Sequence, residues 1–335
     1  MSTTIPNAPT PERVMQLITG GWAAAIVGAA CTHRLFRVLE DGADDAAGVA
    51  KKANISARGA QALLDGCTGL GLLILANGRY SNTPEAATFL VQGKPTDLGG
   101  MAQVMTGSLV DWARLPESTR TGQPAAEHPN DEPDNEFWHV LVPAIAALSF
   151  PVAQIAAGRL GIAKAGAVRW LDVGGGSGVW SAVWLGANPT ARGTQLDWGG
   201  VNRIAKQFVA GFGVGDRFDT IDGDFHTTDF GVAQYEYGIY GHIAHQEGRA
   251  ANVATFRKFR RAIKPGGTLL VNDFVLRDDR TGHPFAMMFA AQMVLASKEG
   301  FAWREADYRA WLAEAGFSSV EFVATPTPAT IVLAR

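Results

Sequence analysis

The chain has 335 residues, of which 47% are hydrophobic and 18% charged, a composition that can fill substantial cores and is not that of a disordered protein. Its 29 basic and 32 acidic side chains give a formal charge of −3, which offers no electrostatic basis for binding nucleic acid or an anionic membrane. The two cysteines, Cys31 and Cys67, lie among apolar residues and form neither a disulfide framework nor a Cys/His metal motif. We therefore expect both to be core side chains, and we expect no bound metal.

Two long stretches without charged residues raise the question of membrane spans. Residues 14–32 contain paired glycines and polar side chains, and residues 140–158 contain two prolines. A spanning helix needs about 20 mostly apolar residues, so we interpret both stretches as buried helices. The N-terminus has no cationic segment of the kind that precedes a signal sequence. The sequence therefore favours a cytoplasmic protein without a membrane segment.

The first hundred residues are predicted to form helices followed by a β-hairpin. Residues 10–40 have helical periodicity, and residues 60–70 form a helix with a single apolar stripe. Asn77-Gly78 predicts a tight turn between two short strands, and Thr83 in front of a proline predicts a capped helix. Helices followed by a hairpin make a winged-helix module.

A winged helix can bind DNA when it presents a basic face to the phosphates. Residues 41–95 hold five basic and five acidic side chains and show no basic face for phosphates. We therefore predict a dimerisation and packing module. Trp22 and Ile26 give the preceding helix an apolar face on a segment too short to fold alone, which predicts burial against a second copy and hence a homodimer.

Residues 101–165 are predicted to form a helical connector. A polar insert at 121–136 is expected to be an exposed turn, and the aromatic pair Phe137 and Trp138 follows it directly. Because pockets often form where domains meet, we predict that both rings contribute to a substrate pocket.

From residue 168 onward, predicted strands and helices alternate. The last two strands are separated by Pro-Thr-Pro, which is too short for a helical crossover, so this pair must be antiparallel. The alternation predicts an α/β fold with a doubly wound, seven-stranded Rossmann-like sheet. The predicted strands are VRWLDV, RGTQLDW, RFDTIDGDF, YEYGIYGHI, PGGTLLVNDFV, SVEFVAT and ATIVLAR, and the predicted helices cover residues 179–185, 201–212, 253–263 and 305–315.

A glycine cluster, LDVGGGSG, follows the first strand of this sheet. Gly174 and Gly176 would let the backbone approach a nucleotide where a Cβ would collide. The pattern is GxGxG, and the GxGxxG fingerprint of dinucleotide binding is incomplete because position 179 is valine.

Acidic residues accompany the first three strands of the sheet. Asp172 lies in the first strand, Asp197 ends the second, and Asp224 with Phe225 follows the third. The turns after parallel strands open onto the same sheet edge, so these residues can line one ligand. An acid after the second strand suits a ribose diol, and an acid beside an aromatic ring suits adenine.

With LDVGGGSG, LDW, GDF, HIAH and PGGTLLVNDFV behind a winged-helix start, the sequence resembles the S-adenosylmethionine-dependent O-methyltransferases of the plant caffeate/hydroxyneurosporene type, in a bacterial form. The resemblance runs from about residue 10 to the C-terminus. It implies S-adenosyl-L-methionine as cofactor, two subunits that intertwine through the N-terminal module, and a small hydrophobic, aromatic hydroxyl compound of the secondary-metabolite kind as acceptor. The domains would be a dimerisation domain at 1–100, a connector at 101–165 that contributes to the acceptor pocket, and a methyltransferase domain at 166–335. The predicted cofactor-binding residues are Asp172, Gly174, Gly175, Gly176, Asp197, Trp198, Asp224, Phe225 and Gly241.

The resemblance also implies a catalytic base. His245 follows the fourth predicted strand and would remove the proton of the acceptor, and Asp273 ends the fifth, 28 residues later (273 − 245). Since these strands are neighbours in this fold, Asp273 is expected to approach His245 and orient its imidazole. Relatives often carry a basic residue where this chain has Gly241, and many carry Asn where it has His242. The alignment leaves open whether Glu299 corresponds to a second, assisting acid of the plant relatives.

The segment GHPFAMMFAAQMVLASKEGF corresponds to a helix that roofs the acceptor pocket in relatives. Ordinary core packing explains its methionines equally well. An apolar lining would suit a flat aromatic acceptor. The predicted substrate-binding residues are Phe137, Trp138, Met288, Gln292 and Met293.

Three alternatives remain open from the sequence. The departures around His245 are compatible with C- or N-methylation instead of O-methylation. A nicotinamide oxidoreductase is disfavoured by the GxGxG pattern and by the long helical segment that precedes it. A non-catalytic regulator that binds the cofactor and uses its winged helix on DNA is disfavoured by the missing basic face.

Overall fold

The computed structural model describes residues 9–125 and 136–335. The chain divides into two units, Met1–Leu109 and Val110–Arg335. Most of the predicted polar insert at 121–136 lies outside the described residues. That this insert is an exposed turn therefore stays a prediction.

The first unit consists of helices and one hairpin. The helix predicted at 10–40 is present, with breaks at Thr19 and around His33. Asp45 and Ser56 begin two of the later helices, because their side chains accept the third amide of each helix in N-cap geometry. The elements are α1 (Glu12–Ile18), α2 (Gly20–Thr32), α3 (Leu35–Val38), α4 (Ala46–Ala53), α5 (Ala57–Gly69), β1 (Leu73–Ala76), β2 (Arg79–Asn82), α6 (Pro84–Phe89) and α7 (Gly99–Gly107).

The predicted hairpin and the helix after it are confirmed. Asn77 and Gly78 connect β1 to β2 with φ angles of 52° and 75°, the left-handed geometry of a two-residue hairpin turn. Thr83 begins α6 by accepting the amide of Ala86 at 3.3 Å.

Cys31 and Cys67 are core side chains, as expected, because both are buried in the first unit. Burial raises the pKa of Cys31 to about 12 and that of Cys67 to about 11. Both thiols therefore stay protonated and unreactive at neutral pH.

An apolar surface on α1 and the start of α2 departs from the prediction of a buried helix at 14–32. None of the residues of α1 is buried. α2 bends away from α1 by 50°, so the core that covers the last turns of α2 does not extend to α1. We call the following residues, each between 53% and 72% exposed, the α1–α2 apolar surface: Val14, Met15, Leu17, Ile18 and Trp22.

The second unit is a layered α/β structure that carries the carboxyl-edge loops. A long helix precedes it, and three single 3₁₀ turns lie at Ile162–Lys164, Gly215–Arg217 and Ala244–Gln246. The elements are α8 (Leu109–Trp112), α9 (Leu115–Thr121), α10 (Glu136–Leu160), β3 (Arg169–Val173), α11 (Val179–Ala187), β4 (Arg192–Asp197), α12 (Gly199–Gly211), β5 (Phe218–Asp222), β6 (Tyr235–Gly241), α13 (Arg249–Ala262), β7 (Ile263–Asp273), α14 (Pro284–Ala296), α15 (Glu305–Glu314), β8 (Val320–Ala324) and β9 (Thr330–Ala334).

The seven strands form one sheet in the order β5-β4-β3-β6-β7-β9-β8. The first five in this order pair in parallel, whereas β9 is antiparallel to both β7 and β8. This confirms the predicted doubly wound sheet with a closing antiparallel pair. The strand order reverses at β3, the point in such sheets where ligands bind outside the carboxyl ends.

The long helix α10 occupies the position of a core helix. By length and composition its segment Phe137–Leu160 could cross a membrane, and α1 with α2 would pass the same test as a bent pair. However, Val152, Ala153 and Ala156 are at most 1% exposed and pack in one cluster with Trp170 of β3 and Trp184 of α11. This part of α10 is therefore packed into the core of the second unit.

Candidate active site

The glycine loop between β3 and α11 has a backbone that only glycine adopts without strain. Gly174 and Gly176 have φ angles of +65° and +58°. A Cβ at Gly174 would lie 2.6 Å from the side chain of Ile243, and one at Gly175 would lie 2.5 Å from Oε1 of Gln195. The loop is therefore both strained and crowded for any larger residue.

Two carboxylates flank this loop. Asp197 accepts the backbone amides of Gly176 at 2.9 Å and Trp198 at 2.7 Å. Asp172 is fully buried in β3, and neither of its carboxylate oxygens has a hydrogen-bond donor among the described residues. Burial, and after it the negative charge of Asp197, raises the pKa of Asp172 well above its usual value. Buried acceptors without donors fit a ligand that brings its own.

The loop after β5 presents Asp224, Phe225 and His226. Oδ1 of Asp224 accepts the backbone amide of His226 at 2.8 Å and lies 2.7 Å from Nδ1 of its ring. The imidazole stacks on Phe225 with ring centroids 4.1 Å apart, and its Nε2 lies 3.1 Å from Oε1 of Glu247. His226 and Glu247 were not predicted to be site residues, although a histidine directly after the Asp-Phe pair was a visible signal.

These loops surround a cavity of about 200 Å³ at the carboxyl edge of the sheet. Every predicted cofactor-binding residue lines it, and Trp138 from the predicted acceptor set lines it as well. The structure thus brings together the following predicted residues: Asp172, Gly174, Gly175, Gly176, Asp197, Trp198, Asp224, Phe225, Gly241 and Trp138.

One face of α10 contributes lining residues that the sequence analysis does not predict. Val142, Ile145, Ala146 and Ser149 line the cavity together with Trp138. Their spacing from Trp138 is i+4, i+7, i+8 and i+11, which is a single helical stripe. The periodicity around Trp138 was the signal that could have identified them.

His245 and Asp273 form a buried pair. His245 lies in the 3₁₀ turn after β6, and Asp273 ends the neighbouring strand β7. Nδ1 of His245 lies 2.6 Å from Oδ1 of Asp273, and the backbone amide of His245 donates to Oδ2 at 2.9 Å. Because a carboxylate only accepts, Nδ1 carries the proton and the neutral imidazole has its lone pair on Nε2.

Asp273 is fully hydrogen-bonded although it is buried. The backbone amide of Phe274 donates to it at 2.8 Å and the hydroxyl of Tyr308 at 3.0 Å. Burial by itself would raise the pKa of Asp273, but the interactions with His245, His242 and the amide of Phe274 together outweigh burial and hold that pKa below its usual value. Tyr308, on α15, lies in no motif and was not predicted.

Aromatic rings surround the imidazole of His245. Phe289 approaches it edge-on with centroids 4.8 Å apart, and Phe274 stacks on it at 5.9 Å. Phe285 contacts Phe274 at 5.0 Å, and we call these three phenylalanines the aromatic cluster. Among the described residues His245 does not line the cavity, although Gln246 of the same turn does. The imidazole therefore lies beside the cavity, against the aromatic cluster.

The same region offers three potential metal ligands. One ligand atom each of His242, His245 and Asp273 lies within 4.8 Å of the others. However, the 2.6 Å between His245 and Asp273 is shorter than the separation of about 3.3 Å between two ligands on a tetrahedral metal. The geometry is that of a hydrogen-bonded acid–imidazole pair.

His242 is a second imidazole at the edge of the cavity. Its φ is +58°, and its Nε2 accepts the side-chain amide of Asn272 at 2.9 Å. Its Nδ1 has no partner among the described residues and lies 3.9 Å from Oδ1 of Asp273. Burial lowers the pKa of His242 to about 4, so this ring is neutral at physiological pH.

The structure does not bring the other predicted acceptor residues to this cavity. Met288 on α14 is 64% exposed, Met293 is 2% exposed, and Gln292 is intermediate. Phe137 packs edge-on against the neighbouring tryptophan at 5.3 Å. For Met288 the reason is the rotation of α14, which turns the neighbouring Phe289 toward His245 instead.

Glu299 lies in the segment after α14. Its carboxylate is in contact with Gly248 at the start of α13, where a negative charge is favourable. The same segment reaches the turn of His245 through its backbone, since the amide of Phe301 donates to the carbonyl of His245 at 2.8 Å. The structure thus places the carboxylate of Glu299 against Gly248.

Comparison with known proteins identifies both units. The O-methyltransferase domain matches residues 163–318, and the O-methyltransferase dimerisation domain matches residues 15–92. The chain is 30% identical to 3-hydroxy-5-methyl-1-naphthoate 3-O-methyltransferase of Streptomyces sahachiroi, over 98% of this chain and 95% of that protein. It is 29% identical to the tetracenomycin polyketide synthesis 8-O-methyl transferase of Streptomyces glaucescens, over 97% and 96% respectively.

Solved structures agree on the fold. Human N-acetylserotonin methyltransferase in complex with SAM superimposes with a TM-score of 0.86 at 24% identity, covering 99% of each chain. Together with the domain matches and the full-length similarity to the Streptomyces sahachiroi enzyme, this leads to one conclusion: the chain belongs to the family of S-adenosylmethionine-dependent O-methyltransferases.

Proposed function

We propose that this O-methyltransferase methylates a hydroxyl group of a small, hydrophobic, aromatic acceptor of the secondary-metabolite type, with His245 as general base. The observation that carries the proposal is the buried bond of 2.6 Å between His245 and Asp273. It leaves Nε2 of His245 as a proton acceptor, next to the aromatic cluster and one residue from the cavity wall at Gln246.

The cavity residues fit S-adenosyl-L-methionine. The buried, undonated oxygens of Asp172 suit the ammonium group of the cofactor, and Asp197 suits the ribose hydroxyls. Asp224 and Phe225 suit the amine and the face of adenine, while Gly174 and Gly176 allow the close backbone approach. When bound there, the cofactor supplies a methyl group activated by a positively charged sulfur.

His245 would take the proton of the acceptor hydroxyl on Nε2. A phenol has a pKa of about 10 and is mostly protonated at neutral pH, so a base raises the fraction of reactive oxygen. Asp273 keeps the proton on Nδ1 and would stabilise the imidazolium that forms. Tyr308 and Phe274 in turn fix the carboxylate of Asp273.

The chemistry of this pair favours O-methylation over the alternatives. A neutral amine already has a lone pair, and an acceptor carbon needs more activation than one imidazole provides. A buried base with an orienting carboxylate matches the requirement of a weakly acidic hydroxyl. It also favours an enzyme over a regulator that only binds the cofactor.

An aromatic acceptor is supported by the rings around His245. Phe274 and Phe289 flank the imidazole, and Trp138 lines the cavity with Phe137 packed against it. Flat ligands gain from such stacked and edge-on contacts. The names of the Streptomyces relatives, a naphthoate and a tetracenomycin O-methyltransferase, are in line with such an acceptor.

The enzyme would act as a homodimer. The residues of the α1–α2 apolar surface fall within or next to the dimerisation domain at residues 15–92. Exposed apolar side chains in such number are favourably covered by a second copy. Light scattering should report twice the mass of the chain, and Trp22→Asp together with Ile18→Asp should shift it toward a monomer.

The test of the activity is a screen of acceptors. The protein is incubated with S-adenosylmethionine and phenols, naphthols, hydroxyquinones and amines, and products are examined by mass spectrometry for the gain of one methylene. The proposal requires O-methylation of an aromatic hydroxyl that is lost in His245→Ala. Methylation of amines alone, or full activity of His245→Ala on the best phenol, would refute it.

A further inference from the structure

His226 connects two loops at the rim of the cavity. Its Nδ1 lies 2.7 Å from Asp224, in the loop after β5, and its Nε2 lies 3.1 Å from Glu247, directly after the turn that carries His245. All three residues line the cavity. The imidazole also stacks on Phe225.

The geometry fixes the charge of this histidine. Both ring nitrogens face carboxylate oxygens, and an ionised carboxylate can only accept. A neutral imidazole has one donor, so only the imidazolium can make both bonds. His226 is therefore a cation held between two anions, with its face on an aromatic ring.

We propose that His226 is a positioning residue for the cofactor: as an imidazolium it holds Asp224 and Glu247 together across the adenosine end of the cavity, and cofactor affinity depends on this charged bridge. The inference rests on the proposed binding of adenine at Asp224. The backbone amide and Nδ1 of His226 both reach Oδ1 of Asp224, which leaves Oδ2 for the amine of the ligand. Through Glu247 the bridge also ties the adenosine end to the turn of His245.

The surroundings define how the bridge responds to pH. The hydrogen bond to Glu247, and after it the interactions with Asp224, raise the pKa of His226 to about 9 against the effect of burial. Lys258 on α13 is a further charged group beside this loop, and its Nζ donates to the backbone carbonyls of Phe225 and His226 at 2.8 and 2.6 Å. The ion pair of Arg261 with Asp229 lies next to Lys258. Since the pKa of His226 is raised, the bridge is complete below its ordinary value of about 6.5 and is lost as the pH rises through about 9.

The test measures the affinity of the full chain for S-adenosylhomocysteine by calorimetry between about pH 7 and pH 10. Wild-type affinity should fall about three- to tenfold across this range, because charge-assisted bonds at a half-exposed site are lost. His226→Phe keeps an aromatic ring stacked on Phe225. Its affinity for S-adenosylhomocysteine at neutral pH should already be as weak as that of the wild type at the upper end of the pH range. Glu247→Gln removes the largest cause of the raised pKa of His226, so the midpoint of the fall in affinity should move to lower pH. His33→Phe, at an exposed histidine in the first unit, is the matched control and should follow the wild type.

The outcomes separate this inference from the proposed function. The amine of S-adenosylhomocysteine titrates in the same way with every variant. The difference in pH dependence between the wild type and His226→Phe therefore reports the contribution of His226 alone. A pH midpoint that persists in His226→Phe would assign the effect to Lys258 and overturn the inference. Equal affinity of His226→Phe and wild type at neutral pH would overturn it too, with cofactor binding intact. Absence of binding at every pH would instead refute the proposed cofactor site.

Discussion

The cofactor side and the acceptor side of the active site are built in different ways. On the cofactor side, the carboxyl ends of β3, β4 and β6 and the loops after β3, β4 and β5 carry the nine predicted residues, and all nine line one cavity. On the acceptor side, only Trp138 of the five predicted residues lines that cavity, and the rings around His245 come from Phe274 and α14.

The difference follows from what positions each residue. A loop residue next to a strand end is placed by the sheet, whose register depends on the backbone. A residue on α10 or α14 is placed by the rotation of the helix, and a rotation of 100° per residue changes which side chain faces the ligand. Substitutions that separate cofactor binding from turnover can test this division.

The largest expected effect is on the acceptor side. His245→Ala should lower turnover about 10²- to 10⁴-fold, because the proposed base is removed. Affinity for S-adenosylhomocysteine should stay unchanged, since the imidazole does not line the described cavity. Single-turnover kinetics and calorimetry measure the two quantities, with His33→Ala as a remote control. If most of the turnover remained, alignment of the reactants alone would explain catalysis and the base assignment would have to be abandoned.

The next effect is on the cofactor side. Gly174→Val should weaken binding of S-adenosylhomocysteine about 10²-fold. The position has a φ of +65°, and the Cβ that valine adds would lie only 2.6 Å from the side chain of Ile243. Gly266→Val is the matched control, with a φ of +82° and open space around it. It should lose stability in a thermal melt but keep its affinity. Equal affinities of the two variants would show that the glycine loop is not the binding element.

A smaller loss of turnover is expected at Asp273. Asp273→Asn should cost about 10- to 10²-fold, because an amide oxygen can still accept from Nδ1 of His245 while the negative charge is gone. Tyr308→Phe removes one of the bonds to the carboxylate and should cost less. Binding of S-adenosylhomocysteine by both variants should match the wild type. A loss in Tyr308→Phe larger than in Asp273→Asn would contradict the assigned order of roles.

The smallest effect compares two neighbours on α14. Phe289→Ala should raise the KM for the acceptor about three- to tenfold, since it removes a ring that contacts His245 at 4.8 Å. Met288→Ala should change it less than about twofold, because an exposed side chain contributes little. Steady-state kinetics with the acceptor identified in the screen measures the KM of both variants. The opposite order would restore Met288 as the predicted pocket residue.

Local signals explain most of what the sequence predicted correctly. Asn77-Gly78 specifies its turn by backbone conformation, and alternating strands and helices specify a parallel sheet. Asp273 could be placed near His245 because neighbouring strands bring their ends together. Tyr308 could not, because α15 reaches Asp273 only through packing that no local pattern encodes. The exposure of α1 was missed for a similar reason, since periodicity shows an apolar face but not what covers it.

The antiparallel closing strand has a consequence for synthesis of the chain. β7, which ends at Asp273, gains its second neighbour only when β9 begins at Thr330, which is 57 residues later (330 − 273). At about 5–20 residues per second, the ribosome needs roughly 3 to 11 s for this interval. During that time Leu269 and Val271 belong to an open sheet edge that can pair with other nascent chains. Slow codons between the two strands would therefore lower the yield of folded enzyme without altering any residue of the active site.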